Sequence, residues 1–242
     1  MSGNAPDKAM VLAAGLGMRM RPLTEHMPKP LVPVGGKPLI DWGLDALAAA
    51  GVGEAVVNVH YLPDMLIDHL RSRRRPAITI SDERDALLDS GGGIAKALPF
   101  FGGEPFFLLN ADTFWIDHDA SNLERLALFW DDARMDILIL LADPQFATGH
   151  TGKLDFTMDR GGKLQRAKTA DEGYIYAGAA IVHPRIFAEA PEGPHSLNLH
   201  FDRAGAAGRL FGLPLDGHWL TVGTPDAIEP AEDVLRRLSK AS

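Results

Sequence analysis

The 242-residue chain has no cysteine, which excludes disulfides and thiolate metal sites. It has no excess of basic charge either. A formal net charge of -8 argues against a protein that coats nucleic acid, because neutralising phosphates takes a basic face. The one basic cluster, RSRRRP from Arg71 to Pro76, reads as a solvated helix end where cations meet the helix dipole. Long apolar runs are missing, and the opening MSGNAPDKAM has neither a basic nor an apolar leader segment. A soluble, cytoplasmic protein without membrane or nucleic-acid partners is therefore expected. No HExxH spacing occurs, and His195 and His200, five residues apart, would not share a helix face, so zinc is not expected. No Ser-His-Asp arrangement stands out.

Apolar residues at 46% and charged ones at 23% are ordinary for a globular protein. The length suits a single α/β domain over 1–242, with a core to about 142 and a second part from about 143. Strand-like runs at Ala9–Ala14, Ala55–Val59, Ala77–Ser81, Pro105–Leu109 and Met135–Leu141 alternate with helical patterns. Those helices begin at Pro38 (running to about Ala50), Asp64, about Ile94 and Asn122. This βαβαβ order predicts a Rossmann-like, doubly wound α/β fold with a mixed, mostly parallel sheet, binding its ligand at the carboxyl ends of the strands. Beyond Asp143 the pattern changes. KLDFTMDRGGKLQRAKT reads as two strands about a turn and YIYAGAAIVHP as a third, together a small antiparallel insertion. A helix over HSLNLHFDRAGAAG, strand-like LFGLPLDGHWLTVG and a closing helix from Thr224-Pro225 to about Leu238 follow.

The stretch LAAGLGMRMRPLTEHMPKPLVPVGGKP, residues 12–38, follows the first strand. Walker A is not met, and the dinucleotide fingerprint would need a third glycine where Met20 stands. The glycines alone signal a tight turn. Arg19, Arg21 and Lys29 add cationic groups, and Pro22, Pro28, Pro30 and Pro33 hold the segment extended. Such a loop either binds a polyphosphate or covers the sheet edge as a solvated basic segment.

LAAGLGMRMRPLT followed by PKPLVPVGGKPLI resembles the signature of the sugar-1-phosphate nucleotidyltransferases, and DSGGGIAKAL, FFLLNADTFW and HWLTVGTPDAI follow in the family's order. The resemblance covers nearly the whole chain. It implies transfer of a nucleotidyl group from a nucleoside triphosphate to a sugar 1-phosphate, with release of pyrophosphate and no covalent enzyme intermediate. Carried over by position, Arg19 and Lys29 serve the phosphates in catalysis. Ala13, Ala14, Gly15 and Gly17 receive the triphosphate, Gly91 and Gly92 the base, and Asn110 the ribose or metal shell. Asp112 ligates Mg²⁺, the implied cofactor, or else caps a turn. Lys168, Tyr176, Gly178 and Asn198 fall at sugar or sugar-phosphate positions, where a core tyrosine, a sheet glycine and a helix asparagine are equally consistent.

Within the family, the compact length resembles the bacterial uridylyltransferases of cell-wall recycling, which implies UTP and N-acetylmuramic acid α-1-phosphate as substrates. Mannose 1-phosphate guanylyltransferases are the neighbouring alternative. The family's late WxDxGT motif reads WLTVGT here, so Thr221 replaces an aspartate. A neighbour such as Asp226 or Asp216 could compensate, or the chain could be a nucleotide-sugar-binding regulator with impaired turnover. A monomer satisfies everything the sequence requires.

Overall fold

The computed structural model describes residues 5–169 and 172–238; residues 1–4, which begin the opening segment read above, lie outside them. The strands are β1 (Lys8–Leu12), β2 (Pro33–Val34), β3 (Lys37–Pro38), β4 (Glu54–Val59), β5 (Ala77–Asp82), β6 (Phe106–Asn110) and β7 (Thr113–Asp117). They continue with β8 (Ile137–Ala142), β9 (Ala147–Thr148), β10 (Phe156–Met158), β11 (Leu164–Arg166), β12 (Ile175–Val182), β13 (Leu210–Pro214) and β14 (Gly217–Thr221). The helices are α1 (Leu39–Ala49), α2 (Pro63–Leu70), α3 (Asp89–Phe101), α4 (Asn122–Phe129), α5 (Asn198–Ala206) and α6 (Ile228–Leu238).

Seven strands form the central sheet in the order β13-β8-β12-β6-β1-β4-β5. All neighbours are parallel except β12, which runs antiparallel to both β6 and β8. Alternation along each strand divides the apolar side chains between two cores. Ala9, Val11, Phe107 and Leu109 pack with Ile40 and Leu44 of α1, while Met10, Phe106 and Leu108 pack with Ile94 and Phe101 of α3. The sheet is thus covered on both faces.

Tyr174 bridges Phe156 of the insertion in antiparallel sense, but the rest of YIYAGAAIVHP supplies β12, an antiparallel strand in the middle of the main sheet. The hairpin β10–β11 forms as expected around the Asp-Arg-Gly-Gly turn. A separate three-stranded sheet, β7-β14-β9, was not expected in its β7 and β9 members. Arg73, from the basic cluster, folds back onto Asp41 (3.0 Å) and Asp45, tying the end of α2 to α1, so it is more than a solvated charge.

A third core carries the long opening loop. Met20, Val32 and Val34 are buried against Leu220 of β14, Val222 just beyond it, and Ala231 and Val234 of α6. The loop is not extended as its prolines suggested. It contains three single 3-10 turns, at Met18–Met20, Leu23–Glu25 and Lys29–Leu31, pinned by Thr24, whose hydroxyl donates to the Gly17 carbonyl at 2.8 Å.

Candidate active site

The chain leaves β1 for β4 and β5 on one side, then returns to β6 on the other. The loops after β1 and β6 therefore diverge at the reversal of strand order, where open α/β sheets place ligands. A cleft of about 500 Å³ occupies that position. It is lined by Leu12 to Gly15, by Lys29 and Pro30, by Asn110 to Asp112 and, from the far side, by Asn58, Leu87, Asp89 and Ser90.

Gly15 is exposed at the cleft, and a β-carbon built there would meet nothing within 4 Å. The fold does not itself require glycine at that point; close approach of a ligand to the backbone would. Gly17 differs. Its φ of 63° lies in the left-handed region, and a β-carbon would press on Lys29 and Thr24 at 3.1 Å, so it shapes the turn that presents Lys29. The Ala13 amide already donates to Asn58 Oδ1 at 2.7 Å and is not free for phosphate.

Lys29 Nζ lies 2.6 Å from Asp112 Oδ2, with the lysine side chain only 12% exposed. Arg19 is exposed, and its guanidinium lies over Gly223, 3.6 Å from where a β-carbon there would sit. Antiparallel pairing of β14 with β7 sets Thr221 opposite Thr113, and Val222 N–H donates to the Asp112 carbonyl at 3.2 Å. Residues 19, 29, 112 and 221–223 thus meet at one rim. Asp216 lies at the other end of β14, about 17 Å away at 3.3 Å per residue, beside His118 and Asp119. Asp226 is exposed beside Glu229 and Asp233 of α6. Asp216 is therefore too remote to replace the missing aspartate.

Gly91 and Gly92 take a different place from the one expected. They lie inside α3, which begins five residues before Ile94, and both amides donate to the His195 carbonyl, at 2.8 and 3.1 Å. They offer no amide to a base. Glycine costs roughly 1 kcal/mol per helical position, and tight packing explains the run here. A β-carbon at Gly91 would lie 2.5 Å from His195 Cδ2, one at Gly92 2.7 Å from the Gly193 carbonyl oxygen, and one at Gly93 2.8 Å from Asn58 Nδ2. Asp89 and Ser90 reach the cleft instead. Asp89 holds a φ of 59° and accepts from the Ser90 hydroxyl at 3.1 Å.

The histidines also meet. His195 sits in the loop before α5, not on it, so its Nε2 reaches His200 Nε2 at 3.1 Å. His200 Nδ1 faces the Ile186 carbonyl at 3.2 Å and His195 Nδ1 the Gly193 carbonyl at 2.9 Å.

On the proposed sugar side, Tyr176 stands at the start of β12, its ring edge-on to Phe201 and its amide bonded to Asp155 Oδ2 at 2.8 Å. The Tyr176 hydroxyl is buried with no partner among the described residues, and burial, with Asp155 and Asp112 nearby, pushes its pKa up, so it remains a proton donor. Gly178 is buried, with a φ of 77°, and a β-carbon would strike Thr113 Oγ1 at 2.1 Å. It lets β12 lie close to Asn110 and Thr113 and does not itself face the cleft. Asn198 accepts from Arg166 at 2.8 Å, and Lys168 is exposed beyond β11. Asn58, Glu83, Asp155 and Arg166 carried no sequence motif; packing joins Asn58 to Glu83, Asp155 to the Tyr176 amide and Arg166 to Asn198.

The sequence profile described as "Nucleotidyl transferase" matches residues 8–145. An N-acetylmuramate alpha-1-phosphate uridylyltransferase from Caulobacter vibrioides is 46% identical over 94% of this chain and 96% of its own length. Its namesake from Neisseria meningitidis is 34% identical over 93% of this chain and 96% of that protein. The fold is similar to that of the inositol-1-phosphate CTP transferase from T. maritima, with a TM-score of 0.79 at 17% identity, covering 98% of this chain and 97% of that one. With the profile spanning more than half of the chain and the Caulobacter protein matching nearly all of it, this chain belongs to the nucleotidyl transferase family.

Proposed function

We propose that the cleft joins UTP to N-acetylmuramic acid α-1-phosphate, forming the UDP-sugar and pyrophosphate. The observation that carries the chemistry is the convergence of Lys29, Asp112 and Arg19 at the end of β6 beside an unobstructed glycine. The substrate pair rests on near full-length similarity to the two uridylyltransferases, which match this chain more closely than the rice probable mannose-1-phosphate guanylyltransferase 1, at 31% identity and 62% of that protein.

In this reading a sugar-phosphate oxygen attacks the α-phosphorus as the bond to the β-phosphate breaks, and pyrophosphate leaves in line. The protein's task is positioning and charge compensation. The Gly15 backbone admits the triphosphate, Arg19 neutralises the departing pyrophosphate, and Lys29 turns from Asp112 toward the α-phosphate and the incoming sugar phosphate. Lys168, Tyr176 and Asn198 serve the sugar side. Asp112 suits Mg²⁺: Oδ2 takes Lys29, Oδ1 has no protein donor among the described residues, and this cation needs only one or two carboxylates beside waters and substrate phosphates. When bound, it would supply positive charge to the phosphate oxygens.

The test is pyrophosphate release with Mg²⁺, crossing five nucleoside triphosphates against muramic-type, glucosamine-type, mannose and glucose 1-phosphates. Release with UTP and the muramic-type phosphate alone is expected. A different productive pair would replace the substrates and keep the chemistry, and silence with nucleotide binding intact would favour a regulator.

A further inference from the structure

Two buried polar side chains join the opposite walls of the cleft. Asn58, 3% exposed near the end of β4, accepts the Ala13 N–H at Oδ1 (2.7 Å) and donates from Nδ2 to Glu83 Oε1 (2.8 Å). Glu83, 1% exposed just after β5, accepts the Leu88 N–H at Oε2 (3.2 Å). Ala13 belongs to the loop under the triphosphate position, and Leu88 immediately precedes Asp89 and Ser90 on the facing wall. Among the described residues no lysine or arginine pairs with Glu83. A carboxylate buried without a cation is costly, and an apolar pair would fill the same space at less expense. What an apolar pair cannot do is accept an N–H at each end.

The polarity of this relay is determined by its termini. Both are backbone N–H donors, so the two side chains between them must present an acceptor at each end and one donor in the middle. One amide and one carboxylate meet that requirement. We propose that Asn58 and Glu83 are positioning residues for the nucleotide: they set the separation between the loop after β1 and the wall at residues 87–90. The inference rests on reading this cleft as the nucleotide site.

The relay works equally well with its chemistry reversed, and this provides the test. Asn58→Asp places two carboxylates face to face. Glu83→Gln leaves one donor opposed to another in either amide orientation. The double exchange restores all three bonds: the carboxylate introduced at position 58 accepts from Ala13 and from the new amide at position 83, whose oxygen accepts from Leu88. Each single variant is expected to raise the KM for the nucleoside triphosphate about tenfold, the loss of one buried hydrogen bond, with the KM for the sugar 1-phosphate nearly unchanged. The double variant should return to within about threefold of the parent.

A double variant no better than the worse single one overturns the proposal, as do single variants that lower Tm while leaving the nucleotide KM alone. Should a single variant be too unstable to assay, the double variant decides by its own KM. The parent chain is titrated with UTP and the other triphosphates in parallel: no binding there overturns the nucleotide reading together with the relay, whereas a normal parent with indifferent variants overturns the relay alone.

Discussion

Lys29 and Asp112 are separated by 83 residues in the chain and by 2.6 Å in the fold. The pair is half-sheltered, so each group holds the other in place and both face the same rim of the cleft. Removing the cation leaves the carboxylate without its partner, and removing the carboxylate frees a lysine with no anchor. Asp112→Asn is expected to lower kcat by about 10²–10³, the range for loss of one charge-stabilising group, with little change in affinity for the sugar phosphate. Lys29→Ala should impair transfer on a similar scale. Steady-state kinetics with direct measurement of nucleotide binding checks both; unchanged turnover after the Asp112→Asn substitution would remove the metal assignment.

Thr221 faces Thr113 across the β7–β14 pair, one residue from Asp112. A carboxylate placed there would stand at the rim of the site and contribute a second hard oxygen ligand. Thr221→Asp is expected to lower the Mg²⁺ concentration for half-maximal rate several-fold, about 1 kcal/mol in free energy. Chelation of the metal should abolish turnover in both proteins. A variant with the parent's metal requirement would show that position 221 does not reach the cation.

The glycines of the two motifs should separate by the property each affects. Gly15→Ala meets no protein atom, so folding stability should be nearly unchanged while the nucleotide KM rises. Gly91→Ala would bring a β-carbon to 2.5 Å from His195 Cδ2 and 2.8 Å from its carbonyl oxygen, both in the segment that holds the first turn of α3. The expected cost is about 1–3 kcal/mol, read as a fall in Tm. Equal Tm losses in the two variants would contradict this division.

These contrasts mark what could be read in advance. The buried runs of β1, β4, β6 and β8 and the cationic loop were visible because strand burial and glycine-arginine-lysine spacing are local properties. The place of β12 was not, since Tyr176 to Val182 reads alike in a hairpin or in a sheet centre until its partners, β6 and β8, are known. The three glycines of α3 looked like a ligand loop because their crowding by His195, Gly193 and Asn58 comes from distant segments. Asn58 is a lone polar residue in the apolar run of β4 and Glu83 is one of several charged residues after β5, and their meaning exists only once β4, β5 and the loop after β1 are side by side.

His200 links the fold to pH. It is fully buried, and burial, reinforced by His195 and Arg203, pushes its imidazole down to about 4 from 6.5, against the Ile186 carbonyl, which favours the charged form. His200 directs Nδ1 at the Ile186 carbonyl and Nε2 at His195 Nε2. The unfolded chain takes up a proton near pH 6.5 that the native state refuses until about pH 4. Its contribution to stability is therefore complete above pH 6.5, declines as pH falls, and levels off below 4, a loss of about 2 kcal/mol between pH 7 and 4.5. At this chain length that corresponds to a fall in Tm of roughly 4–8 °C. His200→Gln cannot take up the proton, so its Tm should fall less over the same interval, and the difference between the two curves isolates this residue from the carboxylates that titrate alongside it. The consequence extends to the cleft, because the His195 carbonyl holds the Gly91 and Gly92 amides. The parent's nucleotide KM should accordingly rise in acid more steeply than the variant's. Parallel Tm curves for the two proteins would assign the acid loss to other groups.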